Sequence, residues 1–577
     1  MGSRMAKSMK NSVVGIIGMM CTLILSFVSK SIFIKLLGNE YNGVNYLFTG
    51  ILNALNLAEL GFASAIAFAL YKPLSEGDEE LTSEIMNFFK TVYRIVALIV
   101  AVLGACCIPI LQFLIKEDME ALPFSLGQLR IYFSLFLLNT VLSYLLAYKR
   151  SLISADQRSY IISYVDYSAN ILLTLGQIAL LLITKSYYAF LGIMIAKTVI
   201  NNAVIALIAN KKYPYLKKYR KNKLLSEEKK KIFNNVKAMM LHKIGTVVIF
   251  NTTAVVISAF VGIVENGLYS NYMSIASQVG TLVGMIFSSV TASVGNLCVE
   301  KGKDAQYDIF NKVNYFSLWL FYFSFISYIC LFNHFIDIWL GKGLTFGIWT
   351  VIMISLNACV INLRRSVLTF RDAKGLFRAD RYKPLIEAAV GIGLVIGLGR
   401  VWGVFGVMLG YTIATVFIAI PIETWVLFKK GFNRSASRFI LTSLLTVAAT
   451  AIVAVGMYYL TSLVTLGGVG GFVIKTVMCL IIPNVLFLLA TFWTKDFKYY
   501  QNIAARMLKG ITSKLRGRNA KIKIANVGNC DINAVNKDSD AAYGSGEAVG
   551  VNNNAADIDS SYNAVTPDAD NSEGKEL

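Results

Sequence analysis

A small set of polar side chains interrupts long apolar stretches, and these are the residues best able to do chemistry in this chain. Lys30 breaks the run 13–37, and Lys197 falls near the middle of the run 187–210. Asn53, Asn56 and Glu59 recur at i, i+3, i+6 within 45–71, on roughly one helical face. A charge at the centre of a bilayer costs roughly 2.5–3.5 kcal/mol or more, so each one demands a partner or a ligand. The chemistry available is the holding of a polar ligand by ammonium and amide groups, with one acid able to take up a proton or a cation. The structural alternative is a Lys30–Glu59 pair, with asparagines bonding to neighbouring helices. Lys90 and Arg94, one turn apart at the start of the run 89–115, either capture a ligand at the membrane edge or snorkel as anchors. Asn251, Asn271 and Gln278 either line the same path or hold helices together. Asp166, Glu387 and Glu423 lie near the ends of apolar runs, where loop cations would pair with them.

Other chemistries find little support. The two histidines, His242 and His334, sit near the ends of apolar runs, and no Cys/His spacing suits a metal, so no cofactor is expected. No G-x-x-x-x-G-K-S/T loop occurs, so this chain is not expected to hydrolyse ATP or to be an enzyme. Seven of the eight cysteines fall in apolar runs, which argues for free thiols.

The elements that must position these residues are membrane spans. The 577 residues are 56% hydrophobic and 15% charged, against about 25% charged in soluble domains. Apolar runs of about 20 residues match the ~30 Å hydrocarbon layer. Met1–Lys10 leads straight into the first run, with no cleavage site for a signal peptide. Spans are expected near 13–37, 45–71, 89–115, 127–148, 160–184, 187–210, 243–262, 268–298, 313–334, 346–363, 384–402, 404–428, 439–461 and 470–494. The fold class is therefore an all-α integral membrane protein with about fourteen transmembrane helices. The even-numbered connections and the two termini as far as Lys523 carry 42 Lys and Arg, the opposite loops only Lys116, Lys185, Lys342 and Arg400. This bias predicts an inner or plasma membrane location with both termini cytoplasmic. The net charge of +21 is spread between spans rather than over a globular face, which argues against a nucleic-acid partner.

A repeat organises the spans. Gly38-Asn-Glu-Tyr-Asn42-Gly43-Val44 corresponds to Gly262-Ile-Val-Glu-Asn266-Gly267-Leu268 at an offset of 224 residues. Phe62, Gly77, Phe88, Lys90 and Tyr93 find matches at nearly the same offset in Phe287, Gly302, Phe310, Lys312 and Tyr315. Six spans separate the copies, so the lobes share an orientation, with a central cleft between them. The expected organisation is a first lobe over 1–210, a basic linker over 211–242, a second lobe over 243–428 and two extra helices over 429–494. An amphipathic basic helix over 495–524 and a disordered acidic tail over 525–577 complete it.

The stretches Ser29-Lys-Ser-Ile-Phe-Ile34, Leu37-Gly-Asn-Glu-Tyr-Asn-Gly-Val44, Leu57-Ala-Glu-Leu-Gly-Phe-Ala-Ser-Ala65 and Leu70-Tyr-Lys-Pro-Leu74 resemble the Wzx-like polysaccharide flippases. That group shares a superfamily with the multidrug MATE exporters and the lipid II flippases. The resemblance implies movement of undecaprenyl-diphosphate-linked oligosaccharides to the outer leaflet by alternating access, for capsule, O-antigen-like or exopolysaccharide assembly. It implies membrane lipids as surroundings, and glycosyltransferases and a polymerase of the same pathway as partners. In that setting Lys30 meets the diphosphate, Lys197 is a further cavity cation that binds substrate, Asn53 and Asn56 meet sugar hydroxyls, and Glu59 is the ion-coupling acid. Lys90 and Arg94 capture the incoming headgroup, while Asn251 and Asn271 line the cleft. One departure is visible: relatives often carry Arg where this chain has Lys30, so the charge is kept and the bidentate fork is lost. Outward movement of two negative charges down an inside-negative potential releases roughly 2.3 kcal/mol per charge per 100 mV. The alternative is a MATE-like cation-coupled multidrug exporter, which requires an acidic cleft. A membrane polymerase or glycosyltransferase would need catalytic groups on large outer loops, and these loops are short.

Overall fold

The computed structural model describes residues 2–56, 62–230, 232, 251–376, 379–380 and 382–506; the regular elements among them are all helical. Expectations for Glu59, most of the seventh span, the end of the basic linker, the amphipathic helix beyond residue 506 and the acidic tail lie outside the described residues. The compact unit runs from Met1 to Tyr500; in the second unit, residues 501–506 are helical.

In chain order the helices are α1 (Gly2–Leu37), α2 (Asn39–Leu55), α3 (Phe62–Glu76), α4 (Glu79–Cys107), α5 (Leu126–Leu145), α6 (Tyr148–Ala155), α7 (Ser159–Thr184), α8 (Tyr187–Lys212) and α9 (Tyr215–Lys218). They continue as α10 (Asn251–Phe260), α11 (Ile263–Glu300), α12 (Lys303–Trp339), α13 (Ile348–Ala373), α14 (Lys383–Ala414), α15 (Ile420–Trp425), α16 (Ser437–Ser462) and α17 (Gly468–Thr491). Eleven helical stretches among the described residues are long and apolar enough to cross a membrane. One of them, Lys383–Phe432, is two spans folded back at Gly403, whose φ of +60° and ψ of −142° are reached most easily without a Cβ. The α2–α3 pair and α10 supply the second and seventh crossings, which brings the helices into register with fourteen spans.

Local chemistry sets the ends. Asp78 caps α4 by accepting from the Leu81 amide at 2.8 Å, with Glu79 and Glu80 in the first turn. Ser125 and Gln128 form a reciprocal capping box at the start of α5. Gly38 and Gly262, at φ +102° and +153°, break the chain between α1 and α2 and between α10 and α11. The end of the molecule that carries Gly38, Gly262 and Gly403 is the glycine-turn face; the end that carries α9 and Lys374 is the basic face.

Helix α1 packs on α7, α4 on α5, and α5 on α8; in the second half α13 joins α11, α12 and α14. The principal contact between the halves is α2 along α11, while α16 and α17 both lean on α12. Phe48 packs edge-on against Phe133 and Phe136, and Phe310 sits among Phe370, Phe428 and Phe432. Large apolar side chains stay exposed on α16 and α17, among them Leu444, Ile452 and Leu489, as a lipid-facing wall requires.

At the basic face the repeat continues in polar side chains, half-buried in the first copy and buried in the second. Arg150 holds Asp166 with two bonds of 3.0 and 2.9 Å and donates to Asn202 at 3.3 Å, and Asn202 donates to the carbonyl of Ser143. Each of these residues has a counterpart 221 positions on: Arg371, Glu387, Glu423 and Arg364. There the neutral members have become charged. Arg364 grips Glu423 through two nitrogens, Lys383 reaches Glu423 at 2.6 Å and Glu387 at 3.1 Å, and Arg371 pairs with Asp380 at 2.7 Å. The connection between the expected spans 346–363 and 384–402 is largely helical, because α13 runs on to Ala373, and Arg364, Arg371 and Lys383 are buried in ion pairs. Burying a charge is tolerable only when it is paired and hydrogen-bonded, which this network achieves.

Candidate functional site

A cavity of about 360 Å³ lies where α1, α2, α7 and α8 of the first half meet α11 of the second. Its α1 wall is Ser26, Ser29, Lys30 and Phe33; its α2 wall is Asn42, Asn45, Tyr46 and Thr49. Both sets follow i, i+3, i+4, i+7, so each helix turns one continuous stripe into the space. Thr174 and Gln177 of α7, Phe190 and Lys197 of α8, and Ser270 and Ser274 of α11 complete the lining. Among the described lining residues only Phe33 and Phe190 lack a hydrogen-bonding side chain, and none is a carboxylate.

Lys30 spans the junction of the halves. Its Nζ donates to the Ser270 carbonyl at 2.9 Å, the Ser270 hydroxyl at 3.1 Å and the Ser274 hydroxyl at 2.7 Å. The indole of Trp339 lies 5.9 Å from the same ammonium, and Trp339 Nε1 donates to the Phe27 carbonyl at 3.0 Å. These three acceptors are neutral, so no carboxylate among the described residues is bonded to this nitrogen. Lys197, partly buried on α8, has no hydrogen-bonding partner among the described residues. Two lysines and many hydroxyls and amides thus line one open cleft. That arrangement suits an anion carrying hydroxyl-rich groups.

The glycine-turn end of this cavity is sealed by the repeat itself. Asn42 donates to the carbonyl of Gly267 at 2.8 Å, and Asn266 donates to the carbonyl of Gly43 at 3.1 Å. Asn39 donates to the Val264 carbonyl at 2.8 Å, and Asn42 also donates to the Asn271 side chain at 3.1 Å. The backbones touch because both crossing residues are glycine: a Cβ on Gly43 would lie 2.0 Å from the Ile263 oxygen, and one on Gly267 would lie 2.5 Å from the Asn39 oxygen. Glu117, from the loop after α4, crosses the same junction and accepts from the amides of Ile263 and Val264 at 2.6 and 3.3 Å, capping α11.

The sequence-derived candidates divide among these surroundings. Lys30 and Lys197 meet in the cavity. Asn271 is fully buried in the asparagine seam beside it, where it holds helices together. Asn53 sits one turn beyond Thr49 on the same face of α2 and is exposed, while Asn56 accepts from the Tyr144 hydroxyl at 2.5 Å. Asn251 opens α10, which crosses α2 where Gly50 admits the Asn251 carbonyl closely. Lys90 and Arg94 lie on α4, toward the basic face and apart from the cavity lining. Sequence reasoning overlooked Ser29, Asn45, Gln177, Ser270 and Ser274. The paired i, i+3, i+4, i+7 stripes on the first two helices are the signal that could have found the first two.

No protein-family model and no curated protein sequence matches this chain. Solved structures do. A structure described as "Lipid II flippase MurJ, inward closed conformation" superposes with a TM-score of 0.59 at 16% identity, covering 85% of this chain and all of that one. An "inward-facing conformation of a multidrug resistance MATE family transporter of the MOP superfamily" superposes with a TM-score of 0.55 at 13% identity, covering 71% of this chain and 97% of that one. At these identities the likeness is one of fold: the chain is a multi-pass membrane protein with the architecture of those transporters.

Proposed function

We propose that this protein moves an anionic, lipid-linked oligosaccharide across the membrane through the Lys30 cavity, by alternating access between its two halves. The observation that carries this reading is a cavity whose described lining holds two lysines, no carboxylate and, apart from Phe33 and Phe190, only side chains able to hydrogen-bond. A diphosphate bearing sugars needs cations and hydrogen-bonding groups, while its polyprenyl tail can remain in lipid. The cargo class is an undecaprenyl-diphosphate-linked repeat unit, taken from the cytoplasmic to the outer leaflet of the inner membrane during polysaccharide assembly. Lys30 and Lys197 hold the diphosphate; Asn42, Asn45 and Gln177 face the first sugars. The glycine-turn face points outward, in accord with the excess of Lys and Arg on the opposite side. The asparagine seam then closes the outer side while cargo enters from the cytoplasm, and opening it releases the cargo outward. The membrane potential favours that direction for a dianion.

The rival cargo is a small organic cation, because the fold is shared with a multidrug transporter. A cation would meet two ammonium groups in this cavity and no described acid to offset them. The test is reconstitution in proteoliposomes with a fluorescent lipid-linked oligosaccharide and, separately, a cationic dye. Flipping of the glycolipid without dye transport supports the reading; dye transport without glycolipid flipping replaces it.

A further inference from the structure

Five cations from three helices and the loop after α9 converge on the basic face of the first half, away from the cavity. Asn87, Lys90 and Arg94 share one face of α4 at i, i+3, i+7. Asn87 donates to the carbonyls of Tyr219 and Asn222 at 2.9 and 3.1 Å, and Asn222 donates to Glu80 at 2.6 Å. These bonds lay the loop after α9 across that face, which brings Arg220 beside Lys90 and Arg94. From α6 comes Lys149, whose Nζ donates to Asn210 at 2.8 Å with Lys90 and Lys217 close by. The buried Tyr148 faces Arg94 and Arg220.

The ion pairs of the first half, Lys72–Glu76, Arg150–Asp166 and Arg158–Asp156, include none of the five among the described residues; the acid that reaches this loop, Glu80, is bonded to Asn222. Asp78, Glu79, Glu80 and Glu84 gather at the start of α4, where Glu79 and Glu80 act on Lys218. Burial, reinforced by Lys90 and Lys217, pulls the Lys149 ammonium below the ordinary lysine value. Like charges gathered without a counterion are unfavourable unless an anion joins them. The height is informative too. The apolar part of α4 begins near Phe88, so Lys90 and Arg94 fall in its first two turns, where long basic side chains can snorkel toward lipid headgroups.

We propose that Lys90, Arg94, Lys149, Lys217 and Arg220 form a binding site for a phosphate-bearing lipid headgroup at the basic face, separate from the Lys30 cavity. The headgroup comes either from an anionic phospholipid of the bilayer or from a polyprenyl diphosphate arriving at the protein. Lys217 and Arg220 belong to the connection between the two halves, so an occupied site ties that connection down onto α4 and α6. The inference stands on its own cluster and does not require that the cavity carry glycolipid.

The test is titration of the purified full-length protein, in a Lys30→Ala background that weakens the cavity, with phosphatidylglycerol, phosphatidylcholine and undecaprenyl diphosphate. The Lys149→Ala/Arg220→Ala pair is expected to weaken binding of phosphatidylglycerol, undecaprenyl diphosphate or both by about thirtyfold. The charge-preserving Lys149→Arg/Arg220→Lys pair should retain it. Loss confined to phosphatidylglycerol identifies the occupant as a bilayer lipid, and loss confined to the diphosphate identifies the carrier lipid. Unchanged binding of both anionic probes overturns the site. So does an equal loss for phosphatidylcholine, or failure of the charge-preserving pair.

Discussion

Asn42 and Asn266 stand 224 residues apart and make the same bond in opposite directions, each donating its side-chain amide to the carbonyl of the glycine that follows the other. The repeat in the sequence is thus a physical contact between the halves, and it closes one end of the cavity. Interhelical hydrogen bonds in membranes average ~0.6 kcal/mol and reach ~1.7 kcal/mol. Replacing both asparagines by leucine should therefore favour opening of this end by about 1–3 kcal/mol. A cysteine at Ser29, labelled by an impermeant maleimide from the glycine-turn side, should react about tenfold faster in that variant.

Gly43→Val acts more severely on the same seam. Its Cβ would meet the Ile263 oxygen at 2.0 Å, and backbone cannot yield as a flexible side chain can. The seam should fail to close, so Ser29→Cys stays reactive from that side and transport stops, while the protein still inserts and purifies as a monodisperse species.

The charge clamps on the basic face predict unequal costs at equivalent positions. Glu423→Ala strands Arg364 and Lys383 in a buried site and should lower stability by about 3–5 kcal/mol. Asn202→Ala, its counterpart, removes neutral-acceptor bonds and should cost about 1 kcal/mol. Unfolding in detergent, followed by tryptophan fluorescence, measures both.

The hairpin at Gly403 relies on close helix contact. A Cβ on Gly406 would lie 2.0 Å from the Leu398 oxygen, whereas one on Gly393 meets nothing within 4 Å. Gly406→Ala should lower the melting temperature, at a cost of about 1–3 kcal/mol, and Gly393→Ala should leave it unchanged or raise it.

Lys197→Met separates a ligand from a structural role. Without a hydrogen-bonding partner among the described residues, Lys197 has little to lose on folding, so stability should hold or rise. Transport should fall about tenfold, as expected when one of two cations is withdrawn from a desolvated anion.

Much of this was legible in the sequence because hydrocarbon imposes its own length on apolar runs. The break at Gly403 lies between the expected spans 384–402 and 404–428, and Gly38 and Gly262 mark the turns that the repeat aligns. Hydropathy reports the membrane rather than the helix, so α12 extends from Lys303 to Trp339 around an expected 313–334. The site was half legible. Lys30 and Lys197 stand out because a lone charge in an apolar run is costly. Asn53 and Asn56 stand out by sharing one helical face with Glu59, and a shared face does not distinguish a cavity wall from the turn beyond it. Ser270 and Ser274 gave no signal, since serines in a membrane helix commonly bond their own backbone, as Ser274 does to the Ser270 carbonyl.

The central claim is that Lys30 holds an anionic lipid-linked cargo on its way across the membrane. The most direct measurement is the sidedness of lipid-linked oligosaccharide in cells lacking this protein, complemented with wild type, Lys30→Arg or Lys30→Ala at equal expression. Glycosidase-accessible glycan on the outer leaflet is compared with the total pool. The account predicts accumulation on the inner leaflet without the protein, restoration by wild type, partial restoration by Lys30→Arg and none by Lys30→Ala. Unchanged sidedness in the absence of the protein, or full restoration by Lys30→Ala, would contradict it.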